Sequence, residues 1–222
     1  MTTIDQTFID RRAALPSGRT PISELEFELV REIARRSRPR ALSGRLSALL
    51  LLARGAGASS ADLRYVAGSD VVTVRDAGTW IDFRRPGHEG QVPVTAEFAT
   101  ELRRLARHAG DSALIGDRGQ SPPLPGAIPE HLTEHLLAQL CVHRPAALIT
   151  VERLRRGWIV EQLCGAMPVR NFLHLADVPS LSVVRELSDF CPAVESTPSV
   201  VSRLAGGVVG PELFDLADWG LD

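Results

Sequence analysis

Apolar and polar positions alternate at helical spacing over most of the chain. Residues 24–36, ELEFELVREIARR, place apolar side chains on one side of a helix that follows Ser23 and ends before Pro39. A second helix is predicted over ALSGRLSALLLLARG, ended by Gly55 and Gly57. The stretch SSADLRYV predicts a short third helix capped by Ser60. Further helices are predicted over 95–109, 129–141, 150–163, 169–176, 180–190 and 198–205.

A second periodicity, typical of strands, interrupts the helices between residues 71 and 95. VVTVRD and TWIDFRR flank the short connection Ala77-Gly78, and QVPVT follows the predicted tip PGHEG. These runs predict a small antiparallel sheet of two or three strands. The expected fold class is therefore mainly α with a small antiparallel β-sheet, an α+β arrangement.

Breaks at proline and glycine residues predict that the chain is organised in three regions. Residues 1–39 are predicted to form an N-terminal arm and the first helix, with a Pro-Ser-Gly-Arg-Thr-Pro break at 16–21. Residues 40–190 form the main domain, which contains a proline-rich loop at 119–129. Residues 191–222 form an acidic C-terminal tail or helix.

Charge is unevenly distributed although the net charge is only −2. Arg31 to Arg64 contains eight arginines against two acids, whereas Glu186 to Asp222 contains seven acids against one arginine. This pattern argues for local rather than global electrostatics. All 25 cationic residues are arginine, a bias that a GC-rich genome explains without function. The absence of lysine excludes any mechanism that requires one.

Targeting and redox features are plain. No apolar run approaches the roughly 20 residues that span a bilayer, and MTTIDQTFIDRR has no apolar signal-peptide region. Cys141, Cys164 and Cys191 are widely spaced, which favours reduced thiols over a disulfide or metal site. We expect a cytoplasmic protein that contacts no membrane.

No sequence motif indicates another catalytic site or a cofactor-binding site. Ser59-Ser60 lacks the G-x-S-x-G pattern of a nucleophile elbow, and GAGAS follows a helix and lacks the Lys-Ser/Thr of a P-loop. His131 and His135 have the spacing of a metal pair, yet no third ligand is near and an exposed helical face explains them. We expect no metal and no cofactor.

Four strings in order resemble a known family. They are LLLLARGAGASSADLRYV, TWIDFRRPGHEGQVPVT, ERLRRGWIVEQLCGAMPV and RNFLHLADVPSLSVV. They are similar to the catalytic-domain motifs of tyrosine recombinases, the phage-integrase family, over about residues 40 to 187. In that family a tyrosine attacks the scissile phosphate. Two arginines stabilise the transition state, a sheet lysine protonates the leaving oxygen and histidines assist proton transfer.

Position by position, the resemblance implies that most of this chemistry is missing. The first arginine position falls on Ser59, and the lysine position falls on Arg85. The histidine position before the second arginine falls on Glu152, while that arginine itself is Arg155. The next histidine position is Arg156.

The nucleophile is also missing. The family's Gly-His pair falls on Ala176-Asp177, and the nucleophile position, near Val184 to Leu187, holds no tyrosine. The chain's only tyrosine is Tyr65. Loss of several members of such a constellation removes transition-state stabilisation, so we expect no recombinase activity.

The resemblance implies a DNA-facing surface built from the sheet tip and the start of the Arg155 helix. The residues expected to line it and bind phosphates of double-stranded DNA are Arg84, Arg85, His88, Arg153, Arg155 and Arg156. The basic stretch 31–45 offers a second backbone-contacting face. Alternatively, Arg153 and Arg156 are solvated helix positions paired with Glu152 and Glu161.

Two functional hypotheses follow. One is a catalytically inactive tyrosine-recombinase-like protein that binds DNA in a bacterial cytoplasm as an architectural factor or in transcription regulation. The other is a protein-interaction module that forms a homo-oligomer or binds a protein partner through residues 208–222. That acidic tail carries Phe214, Trp219 and Leu221, a pattern suited to docking in a groove.

Overall fold

A computed structural model of the chain describes residues 19–75, 77–116, 123–129, 131–141, 149–164, 172–173 and 181–191. The chain divides into two compact units, Met1–Cys191 and Pro192–Asp222. The second unit lies outside the described residues, and with it the predicted helix 198–205 and the docking tail 208–222.

Two helices begin the described fold. Helix α1 spans Glu24–Arg36, as predicted, and its N-terminus is closed by a capping box between Ser23 and Glu26. Its buried residues Phe27, Val30 and Ala34 belong to the common core, so the helix that we grouped with the N-terminal arm packs within the first unit. Helix α2 spans Arg40–Gly55 and is buried from Leu46 to Ala53.

The short third helix is confirmed, but its predicted cap is wrong. Helix α3 spans Ser60–Leu63, and the N-cap is Ser59 rather than Ser60. The Ser59 hydroxyl accepts from the Asp62 backbone N–H, while the Asp62 carboxylate accepts from the Ser59 backbone. A capping box needs an acid three residues after the cap, and only Ser59 has one. A 3₁₀ turn, Gly68–Asp70, leads into the sheet.

The sheet has three antiparallel strands in the order β1-β2-β3: Val71–Val74, Gly78–Arg85 and His88–Pro93. Arg85 pairs with His88, so Pro86-Gly87 alone forms the tip between β2 and β3. The five-residue tip PGHEG that we predicted is too long. Gly87 has φ +82°, and Pro-Gly is the favoured centre of a type II turn.

Four helices follow: α4 Ala96–Ala109, α5 His131–Cys141, α6 Val151–Cys164 and α7 Leu181–Ser188. The predicted core positions of α4, Phe98, Leu102 and Leu105, are all buried. Of the predicted helix 169–176, only Phe172 and Leu173 are described, and both are helical.

Helix α2 lies at the centre and packs against α1, α4 and α6. The observed class, mostly helical with one small antiparallel sheet, is the predicted one. Within the described part of the chain, no helix combines the length and apolar character that crossing a membrane requires.

Candidate functional site

A buried carboxylate joins α3 to the β2–β3 hairpin. Asp62 is 0% exposed, and its Oδ2 accepts from the backbone N–H of Ser59 at 2.9 Å and from its hydroxyl at 2.6 Å. The other oxygen, Oδ1, accepts from Arg85 Nε at 2.6 Å and contacts His88 Nδ1 at 2.9 Å. We call Ser59, Asp62, Arg85 and His88 the Asp62 cluster.

The Asp62 cluster holds its carboxylate in the charged form. Burial alone raises the pKa of Asp62, but hydrogen bonds from His88, Ser59 and Arg85 outweigh it and hold the pKa well below the ordinary range. An ionised carboxylate only accepts, so Nδ1 of His88 carries the proton in this contact. The His88 ring also stacks on Phe83, with ring centroids 5.1 Å apart.

Arg84 faces away from the Asp62 cluster. Successive residues of a strand point to opposite faces, and Arg84 is 62% exposed while Arg85 is directed inward. Arg84 Nε lies 3.1 Å from Asp70 Oδ1, and Arg84 Nη2 lies 3.3 Å from Asp82 Oδ2. Burial raises the pKa of Asp70 despite the hydrogen bond from the Ala67 backbone and the charge of Arg84.

Helix α6 is fixed close to the turn that precedes Ser59. Gly57 has φ +65°, and a Cβ there would lie 2.3 Å from Trp158 Cε3 of α6. Only glycine combines this backbone conformation with such a close approach. Arg155 is three residues before Trp158 and therefore lies on the same side of α6.

The other α6 arginines hold neighbouring segments. Arg153 is 1% exposed, its Nε donates to the Thr20 carbonyl at 2.9 Å, and its Nη2 lies 3.1 Å from both oxygens of Glu26. Burial on its own raises the pKa of Glu26. Hydrogen bonds from the Ser23 backbone and from Arg153 have the larger combined effect, so the pKa is lowered overall. Arg153 thus joins α6 to the segment that leads into α1.

Arg156 makes the corresponding connection to α7. Its Nε donates to Glu152 at 2.8 Å, and its Nη1 donates to Glu186 at 2.8 Å and to the Arg19 carbonyl at 2.7 Å. Burial lowers the pKa of Arg156, but the hydrogen bonds that it donates to Glu186 and Glu152 outweigh burial and raise the pKa. The guanidinium is therefore permanently charged between two carboxylates.

The six residues predicted to bind DNA fall into separate groups. Arg85 and His88 meet at Asp62, Arg84 lies on the opposite face of the sheet, and Arg153 and Arg156 bind acids of other elements. Arg155 is half-buried. A phosphate reaches Arg153 only if its bonds to Glu26 and Thr20 break. DNA binding by these residues stays a prediction.

The solvated-helix alternative for Arg153 and Arg156 is wrong in part. Arg156 pairs with Glu152 as that interpretation required, but both arginines are buried. Glu161 instead pairs with Arg54 of α2. His131 and His135, by contrast, lie on an exposed face of α5.

The remaining positions of the family resemblance are placed only in part. Ala176-Asp177 lies outside the described residues. The segment Val184 to Leu187 belongs to α7 and contributes Glu186 to the Arg156 ion pair. The ring of Tyr65 packs beside Gly126, where a Cβ would lie 3.1 Å from Tyr65 Cε1.

The acidic partners of the predicted site residues could not be predicted from the sequence; they include Glu26, Asp62, Asp70 and Glu186. The Ser23-x-x-Glu26 spacing does signal a capping box, but the second role of Glu26, toward Arg153, spans 127 residues of sequence. No pattern of neighbouring residues predicts a pair so far apart in sequence.

Solved structures share this arrangement of helices and sheet. A XerA recombinase matches at 15% identity with a TM-score of 0.54, covering 86% of this chain and 66% of that one. The described architecture is that of a tyrosine-recombinase catalytic domain. A Tn1549 transposon integrase bound to transposon right-end DNA matches at 10% identity and a TM-score of 0.54, covering 90% of this chain and 70% of that one.

A lambda integrase dimer bound to a COC′ core site also matches, at 15% identity and a TM-score of 0.51, covering 85% of this chain and 55% of that one. This chain therefore spans about two thirds or less of the XerA and lambda chains. No family model and no curated protein sequence matches it. These matches confirm the fold that the four strings predicted, and they concern the fold alone.

Proposed function

We propose that this chain binds double-stranded DNA on a recombinase-type fold without cleaving it, as an architectural or regulatory factor. The observation that carries the proposal is the Asp62 cluster. Ser59 and Arg85 stand where the resemblance places a catalytic arginine and lysine, and both are hydrogen-bonded to one buried carboxylate. These groups stabilise the fold instead of facing a phosphate.

The chemistry at these positions supports the absence of cleavage. A serine hydroxyl offers no positive charge to a nonbridging oxygen, and a guanidinium stays protonated near neutral pH and is a poor proton donor. Arg85 is moreover paired with Asp62. The only tyrosine packs beside Gly126.

Support for DNA binding comes from the fold and from two arginines. The Tn1549 and lambda integrases that share the fold are bound to DNA in their structures. Arg155 lies on the side of α6 that carries Trp158, toward the turn before Ser59. Arg84 is the most exposed residue of the predicted set, and its contact with Asp82 is a surface ion pair that yields readily to phosphate. Its other partner, Asp70, is buried.

The test is a salt titration of binding to a labelled pool of genomic duplex fragments. The variants are Arg155→Ala and Arg84→Ala, and the matched control is Arg107→Ala, an exposed arginine of α4 with the same loss of charge. Each phosphate contact removed is expected to lower the slope of log affinity against log salt by about 1. Equal slopes for all three variants, or no retention of DNA by the wild type, contradict the proposal.

Absence of cleavage has its own assay. The protein is incubated with the retained fragments, and covalent protein–DNA adducts are sought on a denaturing gel. We expect none, because no tyrosine stands near Val184 to Leu187. An adduct that survives denaturation contradicts this part of the proposal and leaves DNA binding intact. The alternative of partner docking through residues 208–222 stays a prediction, since those residues lie outside the described part.

A further inference from the structure

A cationic cavity of about 780 Å³ lies between the C-terminal end of α1, the N-terminal half of α2 and the helix α4. Its lining includes the four arginines Arg35, Arg40, Arg45 and Arg104, together with Ser47 and Glu101. We call this space the arginine cavity. Its volume is in the range of small-molecule sites.

The charge of the arginine cavity is strongly positive. Four arginines line it against a single acid, Glu101. Glu101 is already bound by Arg35 at 3.0 Å and by Arg31, which approaches from outside the lining, at 3.1 Å. Burial raises the pKa of Glu101, but the hydrogen bonds that Arg35 and Arg31 donate to its Oε2 outweigh burial and lower the pKa, which favours the ionised form.

Two of the arginines have no acidic partner among the described residues, so their positive charge can act on a ligand. Arg40 and Arg104 are exposed, and neither makes an ion pair with any residue that the structure describes. Among the described residues, no carboxylate neutralises either guanidinium. Such excess positive charge in a concave site favours anions.

A serine hydroxyl belongs to the same lining. Ser47, on the second turn of α2, lines the cavity and is largely buried as a residue. A hydroxyl can donate a hydrogen bond to a phosphate oxygen, so Ser47 is a candidate donor to an anion held by the arginines.

The N-terminus of α2 adds a backbone contribution. Its N-cap is Pro39, which provides no side-chain hydrogen bond, and Arg40 and Ala41 of its first turn line the cavity. Helix N-termini carry partial positive charge and unsatisfied N–H groups, and both favour phosphate.

The arginine cavity is separate from the Asp62 cluster. The two lie at opposite ends of α2, whose 16 residues extend about 24 Å at 1.5 Å per residue. A ligand in the cavity therefore leaves the turn at Ser59 untouched.

From this geometry we infer that the arginine cavity binds a phosphate-bearing ligand. Arg40 and Arg104 bind the phosphate oxygens, and the Ser47 hydroxyl donates to the ligand. The phosphate belongs either to a nucleotide-sized small molecule or to a nucleic-acid backbone. This inference goes beyond the proposed DNA-binding surface, because none of its residues belongs to the sheet or to α6.

Titration calorimetry with pyrophosphate and with ATP tests the inference on the full chain. The variant is the pair Arg40→Ala with Arg104→Ala. The matched control is the pair Arg36→Ala with Arg107→Ala, two exposed arginines outside the cavity lining with the same loss of charge. A smaller change, Ser47→Ala, removes only the hydroxyl.

We expect the cavity pair to weaken binding of either probe at least about tenfold, Ser47→Ala to weaken it less, and the control pair to leave it within about twofold. A duplex DNA fragment is titrated in parallel. Loss of duplex affinity in the cavity pair beyond the control assigns the phosphate to the nucleic-acid backbone, whereas loss for pyrophosphate or ATP alone assigns it to a small molecule.

The inference is overturned if neither probe nor duplex binds, or if cavity and control pairs weaken binding equally. Arg155→Ala separates this result from the proposed function. It is expected to weaken duplex binding and to leave pyrophosphate binding unchanged.

Discussion

Asp62 is the single side chain on which most local contacts of the candidate site converge. It accepts from Ser59, Arg85 and His88 while it is excluded from water, so these described donors compensate its charge. A buried charge that loses its partner is costly, because nothing else in the interior replaces the lost interaction.

Asp62→Asn tests this arrangement. The amide keeps the shape but removes the negative charge that Arg85 Nε and His88 Nδ1 contact. We expect the free energy of unfolding to fall by about 3 kcal/mol, measured by urea denaturation. Asp82→Asn removes the same charge from an exposed pair with Arg84 and is expected to cost less than about 0.5 kcal/mol. Similar losses in the two variants would contradict the structural role of Asp62.

At the scale of the elements, the close approach of α6 to the α2–α3 turn positions the candidate site. Gly57 permits it, since Trp158 occupies the space where a side chain would lie. The same helix is joined to the α1 segment by Arg153 and to α7 by Arg156. Helix α6 is therefore held by packing at its middle, where Trp158 lies, and by ion pairs of Arg153 and Arg156 in its N-terminal half.

Gly57→Ala is expected to displace α6. The new methyl group meets Trp158, and the positive φ adds backbone strain, for a combined cost of about 2 to 4 kcal/mol in unfolding free energy. Gly87→Ala is the matched control, since φ there is +82° and nothing lies within 4 Å of the added Cβ. It carries only the backbone strain, about 1 kcal/mol. If the two variants unfold at the same urea concentration, the contact with Trp158 is not what fixes the helix.

Local signals in the sequence are sufficient to predict which helices and strands form, but they predict less well where each one begins and ends. Residues 24–36 were predicted correctly because Ser23 and Glu26 form a capping box and the apolar spacing is regular. The cap of α3 was misplaced by one residue because two serines are adjacent, and only the partner Asp62 distinguishes them. Strand β3 begins at His88, earlier than predicted, because its pairing with Arg85 closes the hairpin over two residues.

On the scale of the whole molecule, the sequence predicted the fold class but not the network of ion pairs. From its neighbours in sequence alone, Arg153 is predicted to be a solvent-exposed position of a helix. Its burial is decided by Glu26 and Thr20, which are distant in sequence, so only the folded chain brings them together. The positions of Ser59 and Arg85 came from a resemblance, whereas their shared carboxylate came from the structure.

The pH dependence of stability follows from the same acids. Asp62, Glu26 and Glu101 have lowered pKa values in the folded state, so their contribution is present above the ordinary carboxyl pKa and is lost as pH falls. Asp70, whose pKa is raised, contributes in the opposite sense. Glu186 at the Arg156 pair also has a lowered pKa, so four of the described acids oppose one. We therefore expect the urea midpoint to fall as pH decreases below about 4.

The measurement is a series of urea titrations between pH 7 and pH 3. Asp62→Asn is expected to show a smaller fall than the wild type, because the group with the lowest pKa among the described carboxyls no longer titrates. A midpoint that stays constant over this range would contradict the assignment of these charged pairs.

The sharing of one carboxylate within the Asp62 cluster also bears on evolution. Ser59→Arg would remove the cap of α3 and bring a second guanidinium to an oxygen pair that already binds Arg85 and His88. Arg85→Lys would exchange a directed Nε–H for a mobile ammonium at the same buried acid. We expect each substitution on its own to lower the free energy of unfolding. An evolutionary path of single substitutions that introduces both an arginine and a lysine here therefore passes through less stable proteins.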